Sequence, residues 1–150
     1  VDILTCYLLL ENWNAFNEMY PKVLEYVQSN AQFAEEGRIY NLDGLYYWIN
    51  DDLELADISF RDAQFYLDLV HNQTLSTLVK INFVGLLIAY NKKKEAKLEC
   101  EIAYRLMKKN YALIFKQIEL TKNYRRHREY AGLLALAKYS KSLTLLKLKI

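Results

Sequence analysis

The same short text is written twice between residues 41 and 103. Asn41-Leu42-Asp43-Gly44, Tyr47, Ala56, Phe60 and Ala63 are echoed 40–41 residues later by Asn82-Phe83-Val84-Gly85, Ala96, Cys100 and Ala103. An echo at this period predicts a stack of helical hairpins, each needing its neighbour to bury its apolar face. That points toward a binding scaffold and away from a catalytic pocket. Phe16, Ala56 and Ala96 fall forty residues apart at one position; Tyr20, Phe60 and Cys100 share a second, and Val23, Ala63 and Ala103 a third. Small residues on either side of a bulky one let two helices approach closely while the large side chain fills the gap. Gly44 and Gly85 permit the same approach from the preceding helix. A mid-helix glycine costs about 1 kcal/mol relative to alanine, so its recurrence reads as a packing requirement.

Helical periodicity runs through almost the whole chain. Leu4, Tyr7 and Leu8, then Phe16, Tyr20, Val23, Leu24 and Val27, follow three-four spacing on either side of Glu11-Asn12. Ile39, Leu42, Leu45 and Ile49 precede a break at Asn50-Asp51-Asp52. Leu53, Ala56, Phe60, Ala63 and Leu67 lead to the break at residues 71–74, where Thr74 is the expected N-cap of the next helix. Further breaks are expected at Asn91 and Asn110, and a last Leu- and Ala-rich helix over about residues 130–146. Asn and Asp suit these breaks because they bond to nearby backbone and tolerate left-handed geometry. With one proline, Pro21, and four glycines, the expectation is one all-α domain of about eight helices in antiparallel pairs. Its 150 residues suffice for a core without disulfides or metal. Cys6 and Cys100 both fall in apolar patterns and read as reduced core thiols of a cytoplasmic protein.

No apolar run reaches the length of a membrane span, and no signal peptide is recognisable. The chain starts inside a helix-like pattern at Val1, which suggests a fragment lacking an N-terminal partner domain. Charge is unevenly divided. Residues 1–75 hold 13 Asp/Glu against 3 Lys/Arg, a net of −10, and residues 76–150 hold 5 against 17, a net of +12. Such a split can steer partners or drive head-to-tail packing of subunits, or simply describe two solvated faces.

Gly44, Tyr47, Ala56, Phe60 and Ala63 match the small-aromatic-alanine-aromatic-alanine pattern of the tetratricopeptide repeat at that family's spacing. The copy at Gly85, Ile88, Ala96, Cys100 and Ala103 is a looser match, and the period near forty exceeds the family's thirty-four. The chain thus resembles a divergent tetratricopeptide-type array, which implies a right-handed superhelix of hairpins with its A helices lining a concave groove. Groove positions counted from the glycines are Arg38, Asn41, Leu45 and Trp48 in one A helix. The next A helix offers Val79, Asn82, Leu86 and Ala89. An asparagine amide both donates and accepts, so Asn41 and Asn82 can hold peptide units of an extended ligand, with Leu45, Trp48 and Leu86 as apolar pockets. Alternatively, both asparagines cap or bridge neighbouring helices. Chaperone-type carboxylate clamps need more cations than Arg38 supplies.

The asparagine pair adds a second resemblance, to the peptide-binding domains of cytosolic Rgg/PlcR-type bacterial transcriptional regulators. It implies a short signalling peptide as ligand, a homodimer, and DNA contact only through a helix-turn-helix domain outside residues 1–150. The competing expectation is a constitutive protein–protein scaffold without a small ligand, dimerising through its Leu-rich C-terminal helix. Enzymatic chemistry finds no foothold. His71 and His127 have no carboxylate or cysteine placed for a triad, and no metal-ligand spacing, phosphate-binding glycine loop or cofactor motif occurs. Lys92-Lys93-Lys94 and Arg125-Arg126-His127-Arg128 have few interleaved aromatics, so direct nucleic-acid binding is not the expectation.

Overall fold

The computed structural model of the protein describes residues 1–103, 105 and 106, and among these the backbone is helix and short turn throughout. The expected break at Asn110, the last helix over residues 130–146 and the basic cluster around His127 lie outside the described residues. Two compact units are present, one comprising Val1–Asn72 and the other beginning at Gln73. The first contains α1 (Asp2–Leu9), α2 (Trp13–Ser29), α3 (Phe33–Ile49) and α4 (Leu53–Leu69); the second begins with α5 (Gln73–Ala89), followed by helical backbone from residue 93.

The helices are cut to one length by one kind of turn. Helices α2 to α5 each have 17 residues. Between consecutive helices a single residue takes left-handed backbone geometry: Glu11, Ala31, Asp51, His71 and Asn91, with φ of 50–63° and a spacing of twenty residues. In each turn this residue's N–H donates to the carbonyl three residues back at 3.0–3.2 Å, and the next N–H donates to the carbonyl five back at 2.9–3.0 Å. That pair of bonds is a Schellman closure, which satisfies carbonyls a helix end leaves open. The residue after the left-handed one then starts the next helix. Asn12 Oδ1 accepts from the Ala15 N–H and Asp52 Oδ1 from the Leu55 N–H, so one three-residue turn both ends one helix and caps the next. Thr74 is not the cap of α5. The turn at His71 has already closed, α5 is under way at Gln73, and Thr74 lies in its first turn.

Helices α3 and α4 form a tight hairpin, and two glycines set their separation. A Cβ on Gly44 would lie 2.7 Å from the Phe60 ring, and one on Gly37 would lie 2.7 Å from Leu67 Cγ and 3.2 Å from the Ala63 carbonyl oxygen. Both pairs are seven residues apart on each helix and run in opposite senses, as an antiparallel seam requires. Ala56, Phe60, Ala63 and Leu67 are completely buried along it. The small-large-small pattern therefore acts as the sequence suggests, with Gly37 as an added contact. In the second unit, Ala96, Cys100 and Ala103 are buried as well. Cys6 departs from expectation: it lies on the exposed side of α1, and only Cys100 is buried.

Candidate functional site

Helix α3 is buried on every side across its centre, from Glu36 to Leu45 except Tyr40. Its polar residues are drawn inside with the rest. Glu36, Arg38, Asn41 and Asp43 are between 3 and 9% exposed. Burying such groups is unfavourable unless each finds partners, and three of them reach to other helices of the unit.

Arg38 ties α3 to α1. Its Nη2 donates to Asp2 Oδ1 at 2.8 Å and its Nη1 to Glu35 Oε2 at 2.8 Å. The Asp2 side chain is 59% exposed, so this ion pair reaches solvent at one end. Glu36 ties α3 to α2 and α4: Gln28 Nε2 donates to Glu36 Oε1 at 3.0 Å and to Tyr40 Oη at 3.3 Å, and the Tyr66 hydroxyl hydrogen-bonds Glu36. Asp43 joins the same two helices from the same face of α3, two turns further along. Ser59 Oγ donates to Asp43 Oδ2 at 3.0 Å, and the Tyr20 hydroxyl also bonds to this carboxylate. Burial pushes the Asp43 carboxyl up to about 6, against the lowering effect of the Ser59 and Tyr20 hydrogen bonds; the charge of Asp62 adds to the rise. Tyr20 is raised in turn, first by its own burial and then by the neighbouring Asp43 charge.

The residues expected to face a ligand are distributed as follows. Arg38, Asn41 and Leu45 occupy the buried centre of α3, and Trp48 lies near its C-terminal end, half-buried, with its ring edge-on to Phe60 at 6.4 Å. Asn82 and Leu86 are fully buried in α5, in the second unit. The turns also refine how the two asparagines correspond. Counted from the first helical residue, Asn41 is ninth in α3 and Asn82 tenth in α5. One residue is about 100° of helix rotation. The Asn-x-x-Gly blocks are therefore alike in sequence but turned relative to one another about their helix axes.

Asp43, Glu36, Tyr20 and Ser59 escaped the sequence reading. A signal for Asp43 was present within the echo itself: the second copy carries Val84 where the first carries Asp43. A carboxylate aligned with a valine inside a helix core marks a position where something other than packing is selected. Among the described residues, no three His, Cys, Asp or Glu side chains converge as a metal site would require. No described helix is long and apolar enough to cross a membrane. No protein-family model, curated protein or solved structure matches the chain.

Proposed function

We propose that this chain is the regulatory peptide-binding domain of a cytosolic bacterial transcriptional regulator, with α3 as its ligand-facing helix. The observation that carries this reading is the concentration of buried polar side chains on that helix: Glu36, Arg38, Asn41 and Asp43 within eight residues. Three of them tie α3 to its neighbours, but apolar side chains would serve packing alone, and ionisable groups perturbed by burial, as Asp43 is, gather where ligands bind. In this reading the hairpins form a right-handed tetratricopeptide-like superhelix of about eight helices. The Asn41 amide pairs with the peptide backbone, Arg38 exchanges the exposed Asp2 for an acidic group of the ligand, and Leu45 and Trp48 hold apolar side chains. Occupancy favours one arrangement of the hairpins because the two states differ in affinity for peptide, and a DNA-binding domain outside residues 1–150 reports it.

A synthetic library of short linear peptides, screened by fluorescence polarisation, tests the assignment. Binders should lose at least about tenfold in affinity with Asn41→Ala, while circular dichroism shows unchanged helicity. A library without binders, or binders indifferent to Asn41→Ala, overturns it. The scaffold alternative draws on a different observation, the large apolar side chains left exposed along α4.

A further inference from the structure

Helices α2 and α4 both pack on α3, and they are fastened to it by different means. Helix α4 is held by the seam that the glycines admit, with Ala56, Ser59, Phe60, Ala63 and Leu67 all buried. Helix α2 is as long, yet of its 17 residues the buried ones are Phe16 and Val27. Phe16 stacks on the Tyr46 ring at 5.0 Å. Three polar ties add to that contact. Asn17 Nδ2 donates to Tyr46 Oη at 3.1 Å, the Tyr20 hydroxyl bonds to Asp43, and Gln28 Nε2 donates to Glu36 Oε1 at 3.0 Å.

The same helix contains the one proline of the chain. Pro21 has no N–H to give the Asn17 carbonyl four residues back, and its ring crowds the preceding turn, so α2 is weakest at this point. The tie to Asp43 is made by Tyr20, the residue just before it. Helix α4 has no such break in its seam: glycine stands opposite phenylalanine and leucine in unbroken helix.

We infer that α2 is a lid over the polar face of α3, which opens ahead of the α3–α4 hairpin, yields at Pro21, and is latched by Tyr20 on Asp43 while that carboxyl is protonated. Ionisation puts a charge into a site that offers it no cation among the described residues. Tyr20 of α2, Tyr47 of α3, and Ser59 and Asp62 of α4 face Asp43. On α1 the nearest charge to α3 is Asp2, already paired with Arg38. Opening α2 returns the Asp43 carboxylate to water, so ionisation favours the open form. Burial holds this carboxyl up at about 6, and the latch therefore loosens as pH rises through that value. The lid follows from how three helices are joined, so the inference stands whether or not α3 receives a peptide.

Hydrogen–deuterium exchange of the full chain, read by mass spectrometry at pH 5 and pH 7.5 and corrected for intrinsic rates, tests it. At pH 7.5 the amides of α2 should be at least about tenfold less protected than those along the α3–α4 seam. Protection of α2 should fall about tenfold from pH 5 to pH 7.5 as Asp43 ionises. In Asp43→Asn that fall should vanish. Tyr20→Phe, which keeps the ring and removes the latch, should lower α2 protection at pH 5 and leave the seam unchanged. Pro21→Ala should raise α2 protection at both pH values. Equal protection of α2 and the seam overturns the inference. So does α2 protection independent of pH in the parent, a pH response retained in Asp43→Asn, or exchange of α2 unaltered by Tyr20→Phe and Pro21→Ala.

Discussion

Helices α3 and α4 share one seam, yet away from it they depart from the usual distribution of side chains in opposite directions. Around α3, charged and amide groups are shut inside among Ile39, Leu42 and Leu45. Along α4, leucine, isoleucine and phenylalanine face out. A hairpin selected for stability alone would exchange them, because apolar area gains most from burial and carboxylates lose most. Stability is concentrated in the seam, where glycine, alanine and phenylalanine interlock. The remaining faces hold what that seam does not use, buried polar groups on α3 and exposed apolar ones on α4.

The seam should therefore give the largest response. Phe60 is completely buried, its ring lies where a Gly44 side chain would be, and Trp48 meets it edge-on. Phe60→Ala removes the packing that glycine was selected to admit, and the cavity cannot be refilled from the Gly44 side. A loss of about 3–5 kcal/mol in urea-unfolding free energy is expected. A loss below about 1 kcal/mol would mean that the seam collapses freely and does not anchor the unit.

The polar interior of α3 comes next, and its signature is pH dependence. Asp43 is raised from its ordinary 3.8 to about 6 in the folded protein. The native state thus holds this proton more tightly than the unfolded chain. The stabilisation is fully present below about pH 4 and is lost as pH rises through about 6, a change of about 3 kcal/mol for a shift of this size. Asp43→Asn removes the titration while keeping an oxygen for Ser59 and Tyr20. Relative to the parent, the variant should therefore gain about 2–3 kcal/mol between pH 4 and pH 7.5, read as the change in the difference between their unfolding free energies. A difference independent of pH would show that Asp43 titrates as it does in the unfolded chain, and that burial around α3 costs little.

How much of this was legible in the sequence follows the same division. The seam was legible because it is periodic: Gly44, Ala56, Phe60 and Ala63 announce close helix contact by size and spacing alone. Gly37 was not, since nothing in the second copy echoes it. The turns were legible at Asp51 and Asn91, which suit left-handed backbone. They were marked as breaks at Glu11-Asn12 and at residues 71–74 and were hidden at Ala31, whose side chain carries no such preference, so the twenty-residue spacing emerges only from backbone geometry. Arg38 and Asn41 were found as polar residues in an apolar helix. The ties around them were not, because Asp2 reaches Arg38, Gln28 reaches Glu36, and Tyr20 and Ser59 reach Asp43 from three other helices, and no local pattern reports contacts so distant in sequence.

The smallest effect is expected five residues from the largest, for the same substitution. Phe65 is 63% exposed and touches the Tyr66 ring edge-on at 5.2 Å. Phe65→Ala should change the stability of the isolated chain by no more than about 0.5–1 kcal/mol, since little area leaves water there and a single aromatic contact is weak. A partner that binds this face of the folded state alone would alter that expectation, because it adds stability by mass action. Urea unfolding at two protein concentrations separates the contributions. At the lower one Phe65→Ala and its parent should unfold together. At the higher one only the parent should gain. A large loss at both concentrations would make Phe65 part of the unit's own packing, and the contrast between the two faces of α4 would then be one of exposure without a difference in role.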